Sequence, residues 1–192
     1  DPALFVRKAI VTTQAEVFNP KHRFADFKVD PKLKENVEKR GFTNPTPIQD
    51  GTIPFILEKR DVIGMANTGT GKTAAFLIPL IHKAMHKGGE KALIVVPTRE
   101  LANQIDAEFH DFSARTGLRS SVCIGGANIQ MQIRRLRQDP RFIIGTPGRL
   151  KDLVERKHLD LSSFNNVVLD EVDRMLDMGF GIQIDAVVKH MP

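Results

Sequence analysis

The sequence predicts an α/β fold built on a largely parallel sheet, with helices on both faces. Three observations carry this. Short apolar runs recur without polar alternation, as in Ala92-Leu93-Ile94-Val95-Val96, Arg141-Phe142-Ile143-Ile144 and Asn166-Val167-Val168-Leu169, the pattern of strands buried on both faces. Segments of helical length and periodicity separate them. Every glycine-rich or motif-like loop, at 66–73, 97–101, 125–126, 146–149 and 170–173, falls after an apolar run. In open α/β sheets ligands bind beyond the carboxyl ends of the strands.

Residues 1–23 show no clean periodicity and end in the turn-rich, basic Asn19-Pro20-Lys21-His22-Arg23; they read as an arm or linker before a domain at 24–192. Phe24 and Phe27 are candidates for burial. Asp30-Pro31 starts a helix, with Asp as cap and Pro at the first position, and Gly41 stops it. Thr46-Pro47 starts a second. Asp61-Val62-Ile63-Gly64-Met65 is expected to be the strand that feeds the first glycine loop. Beyond it the pattern predicts a helix from Ala74, a strand at 92–96, a helix at about 99–115, and a strand at 119–124. A basic helix at 128–138, a strand at 141–144, a helix through Leu150 and Leu153, the strand 166–170 and one or two final helices complete the chain.

At 192 residues the chain is long enough for one domain with a substantial core. A net charge of +5 and a pI near 9.5 permit a polyanionic partner. Cys123 is the only cysteine, which excludes a disulfide framework and fits a reducing, cytoplasmic or otherwise intracellular setting. No stretch approaches a membrane span. The first residue is Asp1, so the sequence reads as a piece of a longer protein.

Ala66-Asn67-Thr68-Gly69-Thr70-Gly71-Lys72-Thr73 has the form of a phosphate-binding loop between strand and helix. Gly69 and Gly71 let the backbone curl and aim its N–H groups inward, and the helix N-terminus adds its dipole. Lys72 would reach the β- and γ-phosphates and the Thr73 hydroxyl would ligate Mg²⁺. Ala66 stands where the strict pattern has glycine; as a bare connector the same loop would carry no ligand. Asp170-Glu171-Val172-Asp173 ends a strand where a Mg²⁺-holding acid belongs. There Asp170 would hold the metal and Glu171 would orient and deprotonate a water. Alone, the same acids would be an ordinary helix N-terminus.

With these motifs the chain resembles the amino-terminal RecA-like domain of the DEAD-box family of ATP-dependent RNA helicases, over about residues 24–192. Gly41-Phe42-Thr43-Asn44-Pro45-Thr46-Pro47-Ile48-Gln49 looks like the family's Q motif. The resemblance makes Gln49 and Thr43 adenine contacts, Phe24 the ring stacked on the base, and ATP with Mg²⁺ the cofactors of the 66–73 loop. Ala in first place is common in the family. Asp173 would bond a neighbouring motif, and Val172 replaces the usual alanine. Pro97-Thr98-Arg99-Glu100-Leu101, Gly125-Gly126 and Thr146-Pro147-Gly148-Arg149 resemble the three motifs that hold the RNA backbone, with Pro97, Thr98 and Arg99 the contacts in the first; Met178-Gly179-Phe180 also follows the family pattern. Thr98, Thr146 and Arg149 sit at expected helix N-termini, where free N–H groups bind phosphate oxygens.

The resemblance further implies a motif III strand between the motif I and motif II strands, and a second RecA-like domain bearing an arginine finger. Neither lies within this sequence. A gap or a borrowed strand is therefore expected in the sheet. The chain alone is expected to be monomeric unless a strand is swapped, to bind adenine nucleotide, and to turn it over little. Three readings remain open: an RNA helicase, an ATP-regulated RNA clamp or scaffold, and a P-loop helicase acting on DNA.

Overall fold

Four parallel strands form the sheet of the computed structural model, which describes residues 18–86 and 89–192. They are β1 (Ala92–Val95), β2 (Ser120–Cys123), β3 (Phe142–Gly145) and β4 (Asn166–Leu169), in the order β2-β3-β1-β4. Eight α-helices accompany them among the described residues: α1 (Pro31–Lys39), α2 (Pro47–Leu57), α3 (Lys72–Met85), α4 (Arg99–Phe112), α5 (Ile129–Leu136), α6 (Pro147–Glu155), α7 (Val172–Asp177) and α8 (Gly181–Val188).

The sheet divides the core in two, which is why its central strands lack polar alternation. Ala92, Ile94, Phe142 and Ile144 face a cluster with residues of α1, α2, α3 and α4, including Leu33, Ile53, Leu77, Ile81, Ile105 and Phe109. Leu93, Val95 and Ile143 point the other way, onto Ile133, Leu136, Leu150, Leu153, Met175 and Val187 of α5–α8. Burying a large aliphatic side chain stabilises by about 1.5–3 kcal/mol, so both faces hold the same strands in place.

Local chemistry sets the helix starts. Asp30 caps α1 by accepting from Lys32 N at 2.8 Å, with Pro31 at the first position. Thr98 caps α4, its Oγ1 accepting from Leu101 N at 3.2 Å. Asn128 caps α5 through Gln130 N and Met131 N. The α4 helix ends at Phe112, short of the expected Arg115, which takes a positive φ just before Gly117.

The expected strand at 61–65 does not form. The segment has no ladder partner: β4 ends the sheet, and nothing among the described residues pairs with its outer edge. Without inter-strand bonds its backbone stays solvated and its apolar side chains lie bare, Ile63 being 97% and Met65 94% exposed. The phosphate loop is therefore preceded by no strand, and β4, which carries the second motif, is an edge of the sheet among the described residues. On β4, Val167 and Leu169 are correspondingly exposed.

The reading of 1–23 as a loose arm lies mostly outside the described residues. Its last part is docked. Asp50 accepts from Lys21 N at 2.8 Å, and its other oxygen lies 2.6 Å from His22 Nδ1. No helix among the described residues is long and apolar enough to cross a membrane.

Candidate functional site

The loop 66–73 curls as its glycines permit. Gly69 and Gly71 take φ of 82° and 88°, a region that costs an L-residue roughly 1–2 kcal/mol, and α3 begins at Lys72. Side chains, rather than a preceding strand, hold the loop. Thr46 Oγ1 donates to Thr70 O at 2.7 Å and Gln49 Nε2 donates to Gly71 O at 3.0 Å. Gln49 Oε1 accepts from Thr46 N at 2.9 Å, closing a capping box at the start of α2. Thr70 Oγ1 donates to Asn67 O at 2.7 Å. Lys72 Nζ donates to Ala66 O at 2.8 Å, so the cation is folded onto its own loop. Asn67, Thr68 and Gly69 are exposed, while Ala66 and Thr73 are half-buried.

Two of the expected adenine contacts are buried in this structure. Phe24 is 3% exposed and packs edge-on against Phe27 and Phe42, with ring centroids 5.7 and 5.4 Å away. Its ring packs in the core here; its backbone N–H donates to Thr43 O at 3.2 Å and fixes the exposed Thr43. Gln49 is 1% exposed, and one donor and one lone pair are already engaged. In this structure it braces the loop, which leaves one N–H and one lone pair for other partners.

Asp170 N donates to Val95 O at 3.0 Å, which sets the acid at the carboxyl end of β4. Burial pushes its carboxyl above the usual range; the Lys72 cation opposes this, and Glu171 and Asp173 add to it. Glu171 sits in the left-handed region, φ 52° and ψ 47°, a strain that clusters at functional sites. Its carboxylate is held 3.1 Å from Arg174 Nη1, and its N–H donates to Asp170 Oδ1 at 3.1 Å. Asp173 is exposed. Mg²⁺ takes oxygen ligands and keeps several waters. No cluster of three or more His, Cys, Asp or Glu among the described residues could hold a metal ion, so Asp170 and the Thr73 hydroxyl would offer it oxygens with water completing the shell.

At the other end of the same sheet edge, three loops enclose an open groove of about 620 Å³. Pro97, Thr98, Arg99, Gly125, Thr146, Gly148 and Arg149 line it, so the structure gathers seven of the nine residues singled out for backbone contact. Gly126 stands behind Arg99: a β-carbon on it would lie 2.2 Å from Arg99 Nη1. Pro147 is buried at the first position of α6 and does not line the groove. Arg149 Nη1 reaches Ala127 O at 3.4 Å and its Nε lies 3.9 Å from Asp152.

The residues 46–192 match the family model of the DEAD/DEAH box helicase. The chain belongs to that family. It is 45% identical over 171 residues to the ATP-dependent RNA helicase CshA of Listeria monocytogenes, covering 88% of this chain and 33% of the relative. With the ATP-dependent RNA helicase DBP10 of Candida glabrata it shares 43% over 185 residues, 95% of this chain and 19% of the relative. The chain therefore spans a third or less of either relative. Among solved structures, a DEAD box protein from the hyperthermophile Methanococcus jannaschii superposes with a TM-score of 0.83 at 34% identity, over 88% of this chain and 47% of that one. A hypothetical ATP-dependent RNA helicase from Sulfolobus tokodaii gives 0.78 at 36%, over 83% and 46%. The fold is accordingly the RecA-like DEAD-box domain.

Several residues escaped the sequence reading. Glu100, Asp152 and Phe180 also line the groove. Asp152 was within reach, three residues after Arg149 on one helix face; Glu100 and Phe180 stood inside noted motifs without a role. Arg174, three residues after Glu171, was equally within reach; Thr46 as a loop brace carried no sequence signal, because its bond to Thr70 O acts through tertiary contact.

Proposed function

We propose that this DEAD-box domain is the ATP-binding half of an ATP-dependent RNA helicase, with residues 24–192 as the domain and 1–23 as the segment leading into it. The observation that carries the reading is the placement along one sheet edge of a glycine phosphate loop with a buried acid at one end and an arginine-bearing groove at the other. On this reading the loop N–H groups of 67–73 and the N-terminus of α3 bind the phosphates. Lys72 leaves Ala66 O for the β- and γ-phosphates, exchanging a neutral acceptor for charged ones. Mg²⁺ held by Thr73 and Asp170 would neutralise phosphate charge. Glu171, once free of Arg174, takes the proton of the attacking water. Gln49 and Thr43 face the adenine, and Asp173 remains available to bond a neighbouring motif.

Groove contacts through Thr98, Arg99, Gly125, Gly126, Thr146, Gly148 and Arg149 position a sugar-phosphate backbone and read no sequence. Glu100 and Asp152 put carboxylate acceptors among the cations, and an acceptor there favours a ribose 2′-OH over deoxyribose. Strand separation is assigned to closure against a second RecA-like domain of the whole protein. In related NTPases a finger arginine contributes 10³–10⁵ in rate, so the present chain alone binds nucleotide and hydrolyses little.

Calorimetric titration with ADP and Mg²⁺, competed with GDP, tests the nucleotide half. Binding of ADP in preference to GDP, lost in Lys72→Ala, is expected; equal binding of both would contradict the adenine assignment. RNA-stimulated turnover by this chain alone would contradict the division of labour.

A further inference from the structure

The Gly125–Gly126 loop is held by side chains from three directions. Arg99 lies against Gly126 and Arg149 reaches Ala127 O, both from the groove side. The third hold comes from beneath. Gln132, on the first turn of α5, is 5% exposed, and its Nε2 donates to Ile124 O at 3.0 Å. That carbonyl belongs to the residue immediately before Gly125. Gln132 Oε1 is buried without a partner, so the side chain is tied at one point only, and that point is the loop.

We propose that Gln132 is a positioning residue for the nucleic-acid groove, acting through Ile124 O to set the height and tilt of the Gly125–Gly126 turn. The inference rests on the backbone-binding reading of that groove. Its physics is simple. Two glycines with no side chains have little to fix them, and Gly126 adopts a positive φ of 73°. A backbone that must approach a phosphodiester closely needs its alignment set in advance. The two arginines cannot supply it, because on the proposed reading they turn toward phosphate when a strand is bound. Gln132 is buried, touches no ligand, and keeps its hold throughout.

The test uses the donor requirement. Gln132→Glu puts a carboxylate against Ile124 O at about pH 8, where it repels. As pH falls to about 5.5 the buried carboxyl, its proton affinity raised by burial, regains an O–H to donate. Gln132→Met keeps the length and loses the donor at every pH. Binding of an oligouridylate of about ten nucleotides is measured for all three proteins across that range, with ADP affinity and Tm in parallel. Cys123, on the strand beneath α5, has its thiol pushed up to about 12 by burial, and the wild-type series corrects for titration elsewhere. At pH 8 both variants are expected to lose about fivefold in RNA affinity, the worth of one buried hydrogen bond, with ADP affinity unchanged. Only Gln132→Glu recovers toward wild type at low pH. Wild-type-like RNA binding by both variants at pH 8, or an equal loss of ADP affinity, overturns the positioning role. Failure of the wild type itself to bind RNA overturns the groove reading and the inference with it.

Discussion

The two ends of the sheet edge are held in different ways. At the groove end, the loops after β1, β2 and β3 each leave a strand that is paired in the ladder, and much of their geometry is inherited from it. At the nucleotide end, the phosphate loop follows a segment with no ladder, and Thr46, Gln49 and Lys72 stand in by bonding its carbonyls. A loop that leaves a ladder loses only part of its alignment with one side chain; a loop without a ladder depends on each of its braces.

That contrast predicts unequal effects from equivalent glycine substitutions. In Gly71→Ala the new β-carbon meets Gln49 Nε2 at 2.3 Å and the backbone is left at φ 88°. Gln49 is buried and cannot step aside. With backbone strain of about 1–2 kcal/mol and a brace hydrogen bond lost, ADP affinity should fall about a hundredfold in a direct titration. In Gly126→Ala the clash is with the far end of Arg99, which can swing into solvent. Only the backbone strain remains, about 1–2 kcal/mol, and RNA affinity should fall about tenfold. Equal losses at the two sites would break the comparison.

A smaller effect is expected from Asp170→Asn. A carboxyl whose folded-state proton affinity is raised favours the fold when protonated. Its contribution is therefore intact below the unfolded carboxyl pKa of about 3.9 and is lost as pH rises through the folded value. The amide removes that penalty, so thermal unfolding should show a higher Tm than wild type near pH 7.5 and a vanishing gain near pH 4. At this size each kcal/mol amounts to about 2–4 °C. A Tm below wild type near pH 7.5 would show that attraction to Lys72 outweighs burial.

The sequence was most legible where one physical rule acts locally. Asp30-Pro31 and Thr46-Pro47 start helices because capping and proline geometry need only neighbours in the chain. The apolar runs 92–95 and 142–145 form strands because burial on both faces leaves a plain composition signal. The run at 61–65 carries the same signal and forms no strand, because a strand exists only with a partner. Phe24 shows the limit from the other side: its apolar character predicted the burial that is seen, while a base-stacking role came from resemblance and from no rule acting on the residue itself. Gln49 was found by its motif, and its bond to Thr46 is a capping box at a legible spacing; its bond to Gly71 could not be read from spacing, since it depends on how α2 packs beside the loop.

Hydrogen exchange with and without ADP and Mg²⁺ tests most directly whether the nucleotide end is braced by side chains rather than by a ladder. Amides at 61–66 should exchange at nearly unprotected rates while those of 92–95 and 142–145 are strongly protected. Added ADP should slow exchange in 66–73 and leave 61–65 fast. Protection of 61–65 comparable to that of β1 in the nucleotide-free chain would contradict the account.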